Sequence, residues 1–183
     1  MSHRTLSVLA ENTPRALAQV VSLFAGRGYA FGSLTVGATD DPAVSRITLV
    51  VAAADDQALE QITKQLNKLV VVHKVVDLAQ ESTIQRELVL AKVQADGTTR
   101  SQIVAIAELF RARTVDVSPD SVTIEATGSS DKLEALLKML EPFGLRDLAQ
   151  SGAVALTRGS RTTPVRTATE RTTRTLHALA RAA

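Results

Sequence analysis

Along the first 80 residues, apolar positions alternate between strand-like runs and helix-like stripes. Arg4–Ala10 (RTLSVLA) is a short apolar run rich in β-formers and predicts a first strand. Leu17, Val20, Val21 and Phe24 then recur at helical spacing and predict a helix with one apolar stripe. Asn12 or Thr13 suits its N-cap, Pro14 its first turn, and Gly26 with Gly28 its end. Ser33–Thr39 and Val44–Ala53 are β-rich, and Asp40-Asp41-Pro42 between them makes the turn of a hairpin. Asp55 or Asp56 caps a second helix that carries Leu59, Ile62, Leu66 and Leu69 on one face. Val70–Leu78 closes the unit as a strand.

The second half repeats this order. Glu87–Gln94 predicts a strand, and Ser101 precedes a helix with Ile103, Ile106 and Phe110. Thr114–Val117 and Ser121–Ala126 flank the turn Ser118-Pro119-Asp120. Ser129 and Ser130 precede a helix with Leu133, Leu136, Leu137 and Leu140, which Pro142 and Gly144 terminate. Ala153–Thr157 reads as the last strand. The predicted class is α+β: two ferredoxin-like βαββαβ units, each an antiparallel sheet with both helices on one face. The units are placed at 1–80 and 81–159, joined through the polar stretch 80–86, with a tail at 160–183. A core of ~75 residues is only marginally stabilising on its own. Val70–Val76, apolar at nearly every position, predicts burial on both faces. Association through sheets follows, most simply as a two-fold homodimer.

Composition narrows the chemistry. The chain has no cysteine, which excludes disulfides, thiolate metal sites and thiol catalysis and suits a reducing, cytoplasmic setting. His3, His73 and His177 lie far apart in sequence, against a His-rich metal site. Tryptophan is absent and aromatics are few, against stacking platforms for sugars or single-stranded nucleic acid. No apolar run approaches the ~20 residues that span a bilayer. The strand pattern starts at once, so no leader peptide is expected. Net charge is +2 overall, but the segment from Arg158 onward holds six arginines against Glu170 alone. The body is therefore mildly acidic and the tail basic.

Several motifs occur in order over both halves: LSVL-x-EN (6–12), SLF-x-x-RGY (22–29), SLTV-x-x-TDD (33–41) and SRIT (45–48). With EQITKQLNKLVVVHKVVDL, RELVLAKV and VDVSPDSVTIEATGSSDKLEALLKMLEPFG they cover roughly residues 3–159. This pattern resembles the small regulatory subunit of acetolactate synthase, with an N-terminal ACT domain and a C-terminal ferredoxin-like domain. The resemblance implies a non-catalytic chain. It implies a catalytic large subunit as partner, activation of that subunit, and feedback by valine or another branched-chain amino acid. Thiamine diphosphate and Mg2+, with FAD as a further candidate, are then expected on the catalytic subunit only. No metal and no catalytic residue is expected on this chain.

The resemblance also implies an effector site at an ACT dimer interface, against the loop from first strand to first helix. Asn12, Arg15, Ala16, Leu17, Ala30 and Phe31 are the candidate residues. An amino-acid carboxylate is stabilised by free N–H groups at a helix N-terminus and by the helix dipole. Asn12 matches the family's asparagine, whose amide can donate and accept; the plain alternative is a helix N-cap. Arg15 stands where the family's N-x-x-G-x-L pattern has glycine, and Ala30 where RGY-N has asparagine. A weakened or altered valine response is expected from these two departures.

Other features carry plainer readings. Gly26 and Gly28 end a helix rather than begin one, so they are not a phosphate loop. Asp40 and Asp41 suit a turn better than a metal pair. His73 on an apolar strand suits packing, and Arg46 suits a structural pairing with Asp40 or Asp41. The tail is a solvated arm, partly helical from Ala168, or a basic arm for nucleic acid. The latter predicts steeply salt-dependent binding that truncation after Arg161 abolishes. A stand-alone ACT-type amino-acid sensor, uncoupled from any synthase, remains the alternative function.

Overall fold

The computed structural model describes residues 2–78 and 83–159. The expected helix within the tail, and His177 with it, lie outside the described residues, as does the part of the joint at 80–82. In chain order the elements are β1 (Ser2–Glu11), α1 (Pro14–Arg27), β2 (Phe31–Ala38), β3 (Val44–Ala53), α2 (Asp56–Leu66) and β4 (Val72–Leu78). The second half supplies β5 (Thr83–Gln94), α3 (Arg100–Leu109), β6 (Arg113–Ser118), β7 (Ser121–Gly128), α4 (Ser130–Leu140), β8 (Leu145–Gln150) and β9 (Val154–Thr157). Among the described residues the chain divides into two compact units, one of 2–78 with Thr83 and 155–159, the other Ile84–Val154.

The first sheet has the order β2-β3-β1-β4, all neighbours antiparallel. This order follows from the alternation. Leu6, Val8 and Ala10 of β1 lie opposite Leu49, Ile47 and Ser45 of β3, so one face of both strands turns to the helices. Ala16, Val20 and Phe24 of α1 and Leu59, Ile62 and Leu66 of α2 close that face, each at most 5 % exposed. Phe24 also meets Tyr29 and Phe31 edge-on at 5.8 and 5.7 Å. Val21, placed by periodicity on the apolar stripe, is exposed, because the stripe that packs is narrower than the apolar run.

The second sheet repeats the order as β6-β7-β5-β8, and β9 also pairs with β5. Val89, Ala91 and Val93 alternate inward with Val122, Ile124 and Ala126, under Ile103, Ala107, Leu133, Leu136 and Leu140. Two expectations change. The strand that completes the second βαββαβ unit is β8, with Ala153–Thr157 covered only by a further short strand, β9. Every residue of β8 is exposed, so its backbone bonds hold an edge that hydropathy does not mark. Nor is β4 buried on both faces: from His73 to Val76 residues on either face are only half-buried, because β4 is the last strand in its sheet order.

Helix α1 also separates two glycines that sequence treats alike. Gly28 is the C-cap, left-handed at φ 66°, and its N–H reaches back to the Ala25 carbonyl. Gly26 lies inside the helix, with open space where a Cβ would stand. Gly26→Ala should therefore raise stability by about 0.5–1 kcal/mol, and Gly28→Ala should lower it by about 1–2 kcal/mol. Urea unfolding of both variants checks this, and equal effects would contradict the assignment.

Candidate functional site

Strand β1 ends at the loop that enters α1, and this loop is tied down on both sides. The Glu11 N–H donates to the Val71 carbonyl at 2.9 Å, and the Asn12 N–H to the Ala43 carbonyl at 2.8 Å. Thr13, not Asn12, is the helix N-cap: its Oγ1 accepts from the Ala16 N–H at 3.3 Å. Pro14 has no N–H and Thr13 takes that of Ala16. The Arg15 amide is thus left as the open donor of the first turn.

Asn12 does different work. Its Nδ2 donates to the Pro42 carbonyl at 3.0 Å, across to the turn between β2 and β3. That turn is itself ordered. Asp41 Oδ1 accepts from the Ala43 N–H at 2.9 Å, and Thr39 Oγ1 donates to the Val44 carbonyl at 2.8 Å. Asp41 is thus a turn residue. One N–H of Nδ2 is used in this bond, which leaves its second N–H and the acceptor Oδ1. Nothing local in the sequence marks the Asn12–Pro42 contact, because the partners are 30 residues apart.

The remaining candidates scatter. Arg15 is exposed and lines a groove between α1 and the turn from α2 to β4. Ala16 is 1 % exposed, so its side chain is core and only its backbone faces the loop. Leu17 is half-buried against the same core. Ala30 and Phe31 are exposed beyond the far end of α1, and the Ala30 carbonyl accepts from the Ala52 N–H at 3.4 Å. The fourteen residues of α1 span about 21 Å. Asn12 and Arg15 at one end cannot share a ligand with Ala30 and Phe31 at the other within one chain.

Arg46 donates to Ser7 Oγ at 2.7 Å, joining β3 to β1. Burial lowers its pKa, with the charge of Asp40 acting the other way. Among the described residues it forms no ion pair with Asp40 or Asp41, so its tie is to the sheet. His73 is half-buried at the bulge where β4 shifts register against β1.

The second unit resolves the same loop differently. Asp96 Oδ1 accepts from the N–H groups of Thr98 and Thr99, both at 2.8 Å, and from their hydroxyls at 2.7 and 2.9 Å. The Thr98 hydroxyl bond first, then the other three, hold its carboxyl far below the usual carboxylate range. An internal carboxylate already fills the place that a ligand carboxylate would take.

Comparison with known proteins covers both units. Residues 6–74 match the AHAS small subunit-like ACT domain, and residues 86–159 match the family described as small subunit of acetolactate synthase. The acetolactate synthase small subunit of Mycolicibacterium smegmatis is 56 % identical over 157 residues, 86 % of this chain and 92 % of that protein. That of Haemophilus influenzae is 48 % identical over 159 residues, 86 % of this chain and 97 % of that protein. The crystal structure of the acetolactate synthase small subunit from Thermotoga maritima superposes with a TM-score of 0.82 at 36 % identity. The match covers 88 % of this chain and all of that one.

A pH-dependent prediction follows from Asp96. Its folded pKa is depressed, so its stabilisation is complete above about pH 4 and fades as pH falls towards the folded value. The melting-temperature gap between wild type and Asp96→Ala should narrow between pH 7 and pH 2 in circular dichroism melts. A constant gap would contradict the charge-dependent cap.

Proposed function

The chain belongs to the family of acetolactate synthase small subunits, and from that premise we propose that it is the regulatory chain that activates a thiamine-diphosphate-dependent catalytic subunit and transmits branched-chain amino-acid feedback to it. We take residues 1–80 as the effector-binding ACT domain and 81–159 as the C-terminal domain. Thiamine diphosphate, Mg2+ and any FAD belong to the catalytic subunit. Among the described residues no helix is long and apolar enough to cross a membrane, and the proposed setting is the cytoplasm.

The observation that carries this reading is the separation of the candidate residues along α1, together with an open sheet edge. Strand β2 is the terminal strand of the order β2-β3-β1-β4, and a sheet edge is where a second strand can add. Two copies joined antiparallel through β2 place Phe31 of one beside Ala38 of the other. The eight residues of β2 make these ends roughly 24 Å apart within one chain. Ala38 leads into the turn that Asn12 grips. A homodimer therefore brings Ala30 and Phe31 of one protomer to Asn12 and Arg15 of the next.

The chemistry at that junction suits a small apolar amino acid. The Arg15 amide and the positive end of α1 receive the carboxylate. Oδ1 of Asn12 accepts from the ammonium. Leu17, Ala30 and Phe31 offer apolar surface for a branched side chain. Arg15 lines the groove beside α1, so the loss of the family's asparagine at position 30 weighs more on the valine response than Arg15 does. Valine inhibition is proposed to be present but weakened.

The test is acetolactate formation by the cognate catalytic subunit, with and without this chain, titrated with valine. Activation with inhibition at raised valine concentration is expected. Ala30→Asn should lower the inhibitory concentration, and Asn12→Ala should raise it about tenfold, equivalent to ~1.4 kcal/mol. No activation would leave a stand-alone amino-acid sensor as the better reading.

A further inference from the structure

Away from the effector loop, α1 presents a second surface. Arg15, Gln19, Ser22 and Gly26 follow one another at helical spacing and form one wall of an open groove of about 920 Å3. The turn between α2 and β4, with Lys68 and Val70, forms the other. Three cations line it, Arg15, Arg27 and Lys68, against one acid, Glu11. None of the three has an ion-pair partner among the described residues, whereas Arg4, Lys64 and Arg146 elsewhere are each paired with a carboxylate. At the tip of the turn Val70 is 85 % exposed. Unpaired cations around a projecting apolar side chain are complementary to an acidic surface with an apolar recess.

We propose that this groove is where an acidic segment of the catalytic large subunit docks, its carboxylates meeting Arg15, Arg27 and Lys68 while Val70 enters an apolar recess. The inference rests on the regulatory-subunit reading above. A second copy of this chain is a poor occupant, because a two-fold contact would set like charges against each other. The location also connects docking to feedback. Arg15 belongs to the first turn of α1, and Glu11 of the effector loop is hydrogen-bonded to Val71 of the far wall. An effector that shifts this loop shifts both walls of the groove.

The full chain and its catalytic subunit are used for the test, with Arg27→Glu/Lys68→Glu and, separately, Val70→Asp. Both should weaken binding to the catalytic subunit at least about tenfold at low salt. The salt dependence of association should be shallower for the double variant. Valine binding, dimer mass and far-ultraviolet circular dichroism should stay as in wild type. Arg86→Glu/Lys138→Glu makes the same charge change in the second unit and should leave binding within about twofold. Full-strength binding by both groove variants overturns the proposal and leaves the regulatory role intact. An equal loss in the second-unit control overturns it too, since the effect would then be one of overall charge. Loss of the dimer in the groove variants overturns it in favour of a second copy as occupant. A wild-type chain that neither binds nor activates the catalytic subunit overturns both readings.

Discussion

Burial of the helix-facing side of β1 is the constraint on which the first unit depends. Leu6, Val8 and Ala10 are fully buried, and they pair across to β3 and β4 on either side. Because side chains alternate along a strand, a slip of one residue would turn the polar Ser7 under the helices and carry Leu6 and Val8 to the opposite, also buried, face. The register is thereby set, and with it the place where β1 ends. Glu11 and Asn12 emerge at the end of a central strand and are at once tied to neighbouring backbone. The candidate effector loop is thus held by the most constrained element of its sheet.

The second constraint is the stiffness of α1. Capped by Thr13 at one end and Gly28 at the other, it keeps the two halves of the proposed site apart. In the proposed homodimer, edge strand β2 resolves this through a second copy. The second unit shares the topology but not the chemistry. Its corresponding loop is closed by Asp96, so a common fold carries an open first-turn amide in one half and a self-satisfied loop in the other. Fold and function separate at the level of a single side chain.

In the proposed scheme, feedback and docking meet at the first turn of α1. That turn offers an amide to the effector, and its Arg15 lines the basic groove. Coupling between sites in allosteric proteins is typically ~1–3 kcal/mol. Such an amount is within reach of small shifts in a loop fastened by single hydrogen bonds to both the groove wall and the β2–β3 turn.

The sequence by itself determined the class and order of the elements. Alternation at Val89, Ala91 and Val93 and helical spacing at Leu59, Ile62 and Leu66 are local signals that packing then obeys. The ordered motifs over both halves likewise carried the family. Edge strand β8 was not legible, because an element wholly exposed leaves no hydrophobic period. The roles of Asn12 and Arg15 were not legible either. A helix cap and a turn anchor call for the same residue type, and the choice of Thr13 over Asn12 was made by the Pro42 carbonyl, 30 residues away. Arg15 reads as an obstacle to a ligand until the turn between α2 and β4 supplies a groove for it. Tertiary structure decided these points because each depends on which distant backbone group comes within reach of a short polar or long charged side chain.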